Sequence, residues 1–224
     1  MKDKCISVSV MCSDLMRLGD DIERLKSAGI GMLHVDVMDA HFVPNLTFGP
    51  DMIKAMRKSS ELPLDIHLMV ENPENLIPSL DLAPNDMITA HAELDRDLSH
   101  LASMVHEKGA KFGIALNPDT PPQELLRHKG IFDFVLLMLV YPGFAGAKLV
   151  DGILDKVPAT RKWLDENGLE DKFISVDGSV SCERAYRMAR EGADVFVGGT
   201  AGIYRKGMLL EDAVHEFTNA IRNE

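Results

Sequence analysis

Cysteine is scarce in this sequence of 224 residues: Cys5, Cys12 and Cys182 are odd in number and show no C-x-x-C spacing. That excludes a disulfide framework or a structural zinc knuckle, and a reducing cytoplasm is the expected compartment. Positive charge is also short, with 24 Lys and Arg against 35 Asp and Glu, a formal net charge of −11. Such a surface argues against a nucleic-acid partner or an anionic membrane. It leaves small anions open, because backbone amides bind phosphate without side-chain charge. The longest apolar run, Phe134 to Tyr141, is eight residues, well below the ~20 needed to span a bilayer. The apolar stretch after Met1-Lys2-Asp3-Lys4 meets Asp14 too early for a signal-peptide core. No Pro/Gly/Ser-rich linker, charge block or shift of composition divides residues 1–224, so a single domain is expected.

What is present is a recurring unit. Short apolar or β-branched runs begin at Cys5, Met32, Pro63, Asp86, Lys111, Phe132, Phe173 and Asp194, with room between each pair for a loop, a helix and a second loop. Residues 14–28 carry apolar side chains at 15, 18, 22 and 25 and stop at Gly29, the pattern of an amphipathic helix. Residues 94–109, 158–168 and 181–192 read the same way, each closed by a glycine. Eight strands alternating with helices fit a doubly wound sheet or a closed barrel. No G-x-G-x-x-G follows the first strand, so the expectation is a single (β/α)8 TIM barrel.

Such barrels place their chemistry at the C-terminal ends of the strands. Those ends carry Ser9, His34-x-Asp36-x-Met38, His67-x-Met69, His91, Asn117, Met138, Asp177 and Gly199-Thr200. Residues two apart on a strand share a face. His34, Asp36, His67 and Asp177 therefore converge at one mouth as an N2O2 set suited to one divalent ion: zinc, iron(II), manganese or cobalt. The plain alternative, hydrogen-bonded core residues, is weaker for the four together, because each unpaired buried charge costs several kcal/mol, on the order of 3–5. Asp65, one layer lower, is a candidate partner for a ligand histidine. His41, His91, His100, His106, His128 and His215 read as structural or surface residues. Met38, Met69 and Met138 are either core filler or an apolar cap over a reacting centre that keeps water out.

Glycine clusters follow the last three candidate strands: Pro142-Gly143-Phe144-Ala145-Gly146, Asp177-Gly178-Ser179 and Gly198-Gly199-Thr200-Ala201-Gly202. A single cluster is an ordinary turn. Three together at the strands that commonly build phosphate sites in these barrels favour a phosphate cradle.

These motifs resemble a known family. His34-Val-Asp-Val-Met-Asp39 followed by His41-Phe-Val-Pro-Asn45, Leu64-Asp-Ile-His-Leu-Met69, Leu116-Asn-Pro118, Pro142-Gly-Phe144 and Val176-Asp-Gly178 look like the ribulose-phosphate 3-epimerase family, from about Ile6 to Tyr204. The resemblance implies a metal-dependent ketose-phosphate 3-epimerase, an isomerase, commonly homo-oligomeric. It implies His34, Asp36, His67 and Asp177 as metal ligands, with Asp36 and Asp177 as the acid/base pair that inverts C3 through a cis-enediolate. Ser9, His67, Gly143, Phe144, Ala145, Gly146, Asp177, Gly178, Ser179, Gly199 and Thr200 match its substrate contacts.

Met11-Cys12, Ala145, Ser179 and Gly199-Thr-Ala-Gly-Ile-Tyr204 look more like the D-allulose 6-phosphate branch of that family than the D-ribulose 5-phosphate branch. The six-carbon sugar is the expected substrate on that ground. Val8, Ala40, Tyr141 and Ala147 depart from both patterns. Ala40 is expected to be strained if its position requires φ > 0. A sugar-phosphate decarboxylase or aldolase is the second enzyme reading, and no inward strand-end lysine is present to form a Schiff base. A catalytically silent sugar-phosphate binder is the third. It has no need of Asp36 and Asp177, and both are there.

Overall fold

Alternation within the strands decides the architecture, and a computed structural model describing residues 4–222 shows how. Eight parallel strands close into one barrel in sequence order: β1 (Cys5–Ser9), β2 (Met32–Met38), β3 (Leu64–Met69), β4 (Met87–His91), β5 (Lys111–Leu116), β6 (Phe134–Met138), β7 (Phe173–Asp177) and β8 (Val195–Gly198). Every expected strand is found, with its start moved by no more than two residues.

Six α-helices pack outside: α1 (Leu18–Ser27), α2 (Pro50–Ser59), α3 (Ser99–Glu107), α4 (Lys156–Glu166), α5 (Cys182–Arg190) and α6 (Leu210–Arg222). Their boundaries have local causes. Ser181 accepts a hydrogen bond from the Arg184 amide at the start of α5, and Pro50 opens α2 where a missing N–H does no harm. Two intervals lack the expected helix. Between β3 and β4 the chain makes two short 3-10 turns, Pro73–Asn75 and Ile77–Ser79, and between β5 and β6 a single 3-10 segment, Pro122–His128. Pro73 and Pro78 in the first interval and Pro118, Pro121 and Pro122 in the second remove amide donors that a longer helix would need.

Outward strand residues join helix residues in one apolar layer. Val35, Val37, Ile66, Leu68, Ile114, Leu137 and Val176 belong to the same buried cluster as Ile22, Ile53, Leu101, Val157, Met188 and Phe217. Inward residues form a different environment, in which Ser7, Ser9, His34, Asp36, Asp65, His67, Thr89, His91 and Ser175 are all buried. The floor of the barrel is closed by Phe134 stacked on Phe173, with ring centroids 4.9 Å apart. Gly113 makes room for that stack, since a Cβ there would lie 2.3 Å from the Phe134 ring.

Candidate active site

Strand register brings the titratable side chains together before any loop is considered. Ser9 pairs with His34 between β1 and β2. Asp36 pairs with His67, and Met38 with Met69, between β2 and β3. Across the barrel Met138 pairs with Asp177 between β6 and β7. Each pair points inward because the strands share one pleat.

The result is a buried cluster. His34, Asp36, His67 and Asp177 each offer one ligand atom, and these atoms all lie within 4.8 Å of one another. His34 Nε2 is 3.3 Å from Asp36 Oδ1 and 3.8 Å from Asp177 Oδ2. His67 Nδ1 is 3.5 Å from Asp36 Oδ1 and 3.9 Å from Asp177 Oδ2. Among the described residues neither nitrogen has a hydrogen-bond partner, although both are buried. Two orphaned imidazole nitrogens facing two carboxylates at these distances are a donor set for a divalent cation, and the residues present fit such an ion.

Each histidine is held from behind. His34 Nδ1 lies 2.8 Å from Asp65 Oδ2, which also accepts from Ser7 Oγ at 2.8 Å. Asp65 thus stands where the sequence placed it. His67 Nε2 lies 2.8 Å from His91 Nε2, and His91 Nδ1 lies 2.9 Å from Glu93 Oε2. Ser9 Oγ donates to Asp36 Oδ2 at 2.9 Å.

Burial and neighbouring charge set the protonation. Burial disfavours a charged His34, but Asp65 and Asp36 outweigh it and lift the ring well above the ordinary imidazole value. Burial likewise works against the Asp36 carboxylate, yet His34 and His67 hold it far below the usual carboxylate range. Asp177 moves the opposite way: burial raises it, opposed by His34 and reinforced by Asp36. Burial drives His91 down to about 4 despite Glu93. Glu93 is held at about 2, because its burial is more than offset by His91, Thr120 and the Asn117 amide.

Above the cluster a cleft opens at the C-terminal end of the barrel. Ser9, Asp36 and Asp177 lie on its floor, Met38, Met69 and Met138 line one part of its wall, and the loops after β6, β7 and β8 line the rest. The sequence model of the Ribulose-phosphate 3 epimerase family matches residues 5–203. The chain belongs to this family.

Among curated relatives, the ribulose-phosphate 3-epimerase of Bacillus subtilis (strain 168) is 39% identical over 196 residues, covering 88% of this chain and 90% of that protein. The ribulose-phosphate 3-epimerase of Escherichia coli (strain K12) is 37% identical over 202 residues, covering 90% and 89%. Membership makes the protein an enzyme of the isomerase class. In structure the chain is similar to a mutant tryptophan synthase alpha-subunit from Pyrococcus furiosus, with TM-score 0.66, 15% identity and coverage of 100% and 99%. That likeness speaks to the barrel alone.

Relative to the epimerase pattern, the loop residues Gly143, Phe144, Ala145, Gly146, Gly178, Ser179, Gly199 and Thr200 all line the cleft, as does Ala147. Gly178 has φ +105°, and a Cβ there would lie 2.6 Å from Val140 Cγ2. The tight approach of β7 to the loop after β6 therefore requires glycine. Arg184 Nη1 donates to the carbonyl and hydroxyl oxygens of Ser179, fixing the neighbouring residue. Asn45 Nδ2 donates to the Gly143 carbonyl at 2.7 Å and ties the β2 loop to the β6 loop.

His67, expected to touch substrate as well as metal, is fully buried and turned toward Asp36 and His91. Tyr141 is 56% exposed and lies outside the cleft lining. His91, read as structural, touches a member of the cluster. The signal that could have found it was its place at the end of β4, two residues before an acid. Ala40 does adopt φ +62°, the left-handed conformation its departure raised.

Proposed function

We propose that the protein is a divalent-metal-dependent ketose-phosphate 3-epimerase. The observation that carries this reading is one pair of carboxylates, Asp36 on β2 and Asp177 on β7, reaching the same cleft floor over two orphaned histidine nitrogens. His34, Asp36, His67 and Asp177 would hold the ion. When bound, it supplies a Lewis acid that stabilises negative charge developing on the C2 and C3 oxygens of a ketose.

The chain's own atoms divide the remaining labour. Asp36 turns Oδ1 to the histidines, while Oδ2 carries only the hydrogen bond from Ser9, so Oδ2 is the oxygen that would take the C3 proton. Asp177 turns Oδ2 to the histidines, leaving Oδ1 to deliver a proton from the opposite side. The reverse direction exchanges the two roles, which is why inversion needs two groups. Met38, Met69 and Met138, in the wall beside the floor, keep water from the reacting carbon. Backbone amides of the loops after β6, β7 and β8 receive the phosphate. A ketose phosphate is the only partner this chemistry needs, and the three free thiols suit a reducing cytoplasm.

For the substrate, the relatives' names print ribulose phosphate; they favour the five-carbon sugar, D-ribulose 5-phosphate, and lend no support to the six-carbon preference read from the loops. D-allulose 6-phosphate remains as a second reading because Ala145 and Ser179, two of the residues that look like that branch, line the cleft. Proton NMR of the metal-loaded protein in D2O, with each sugar in a separate tube, tests both. Loss of the C3–H signal and growth of the epimer, faster for the five-carbon sugar, is the expected result. Faster exchange of the six-carbon sugar would restore the loop reading, and exchange of neither would overturn the epimerase assignment.

A further inference from the structure

We infer that His91 and Glu93 are positioning residues that set the tautomer of His67 and so prepare its Nδ1 as a metal ligand. This rests on the reading of His67 as a ligand.

Glu93 Oε1 accepts from the Asn117 amide at 2.8 Å and from the Thr120 hydroxyl, so the carboxylate is anchored by the loop after β5. Its other oxygen, Oε2, faces His91 Nδ1 at 2.9 Å. An ionised carboxylate only accepts, so His91 Nδ1 must carry the proton. A neutral His91 then has a bare Nε2. The two Nε2 atoms of His91 and His67, 2.8 Å apart, need one proton between them. That proton belongs to His67. With Nε2 protonated, a neutral His67 has its lone pair on Nδ1, the buried atom without a partner that faces Asp36 and Asp177.

Packing prevents an easy escape from this arrangement. The His67 and His91 rings meet edge to edge, with centroids 5.0 Å apart and planes 22° apart, and the Phe42 ring centroid lies 4.8 Å from that of His91. The two histidine ligands are therefore prepared differently. His34 meets its carboxylate, Asp65, directly, whereas His67 reaches Glu93 through a second imidazole. Partners of this kind usually change metal affinity by about 10–100-fold when removed.

The test uses zinc alone, with affinity read by competition against a chromophoric chelator. The tautomer of His67 is read from two-bond proton–nitrogen correlations in 15N-histidine-labelled protein. In wild type, His67 is expected to be protonated on Nε2. His91→Phe is expected to lower zinc affinity by about 10–100-fold, and His91→Gln, whose amide oxygen can accept from His67, to recover part of it. Glu93→Gln keeps the side-chain volume but lets the amide donate to His91 Nδ1. The His67 spectrum should then show an Nδ1-protonated population, which a purely structural role for Glu93 would not produce.

Thermal unfolding of the metal-free variants reports whether each is folded, and Glu93→Gln carries the test if His91→Phe is not. Unchanged zinc affinity together with an unchanged His67 tautomer in folded variants would overturn the relay. If His67→Ala still loses zinc in that case, the metal reading survives the relay's failure. Absence of zinc binding by wild type would overturn both.

Discussion

The two faces of the same strands do different work. On β2, Val35 and Val37 point outward into the layer shared with the helices, while His34 and Asp36, one residue away, point into the barrel. β3 repeats the division with Ile66 and Leu68 against Asp65 and His67. The outward face is continuous and apolar, so burial there supplies most of the folding free energy. The inward face collects buried polar groups whose desolvation is unfavourable unless each is paired. A barrel tolerates this concentration of charge because the apolar layer surrounding it holds the strands in register.

Substitutions on the two faces should therefore separate activity from stability. The largest effect is expected from Asp177→Asn, which would remove one of the two proposed proton carriers while keeping the shape: turnover should fall about 10²–10⁴-fold, with the melting temperature of the metal-free variant close to that of metal-free wild type. C3–H exchange by NMR and a thermal scan check both halves. A melting temperature that falls in step with activity would erase the distinction between the faces.

Ile66→Ala, on the outward side of β3 between Asp65 and His67, should do the reverse. It should lose about 2–5 kcal/mol in urea unfolding, as large-to-small changes in packed cores do, and retain turnover and zinc binding in the folded fraction. Chelating the ion comes next. If the free ion stands ~100-fold above its dissociation constant, its removal takes away about 2.7 kcal/mol, a drop in melting temperature of roughly 5–10 °C. An unchanged melting curve, with chelation verified by metal analysis, would show that the inward charges need no ion to offset them. The smallest effect is expected at Ala40, whose φ is +62°. Ala40→Gly should gain roughly 0.5–1 kcal/mol, the relief of left-handed strain less the entropy glycine adds to the unfolded chain. Urea unfolding reads that gain.

The comparison also explains which parts were legible in one dimension. Strands were found nearly in place because each is a short apolar run bounded by turn residues, and His34-x-Asp36 and His67-x-Met69 declared a shared face by their spacing alone. The two missing helices were legible only in part. Their prolines were visible, but room for a helix was read as a helix. His91 and Glu93 were passed over because a histidine at a strand end is ordinary until its neighbour across the sheet is known. Tyr141 drew attention by its chemical difference and stands in solvent, since sequence difference does not say which way a side chain points.

Sequence by itself determined the eight-fold alternation, the acidic character and the inventory of His, Asp and glycine at the strand ends. Those properties depend on residue type and local spacing. Tertiary structure decided which nitrogen of each histidine is bare, which oxygen of Asp36 faces Ser9, and that His67 is fully buried with His91 and Glu93 behind it. These depend on distances of 2.8–3.9 Å between residues on different strands, far apart in the chain. Only barrel closure and strand register bring such residues within reach of one another.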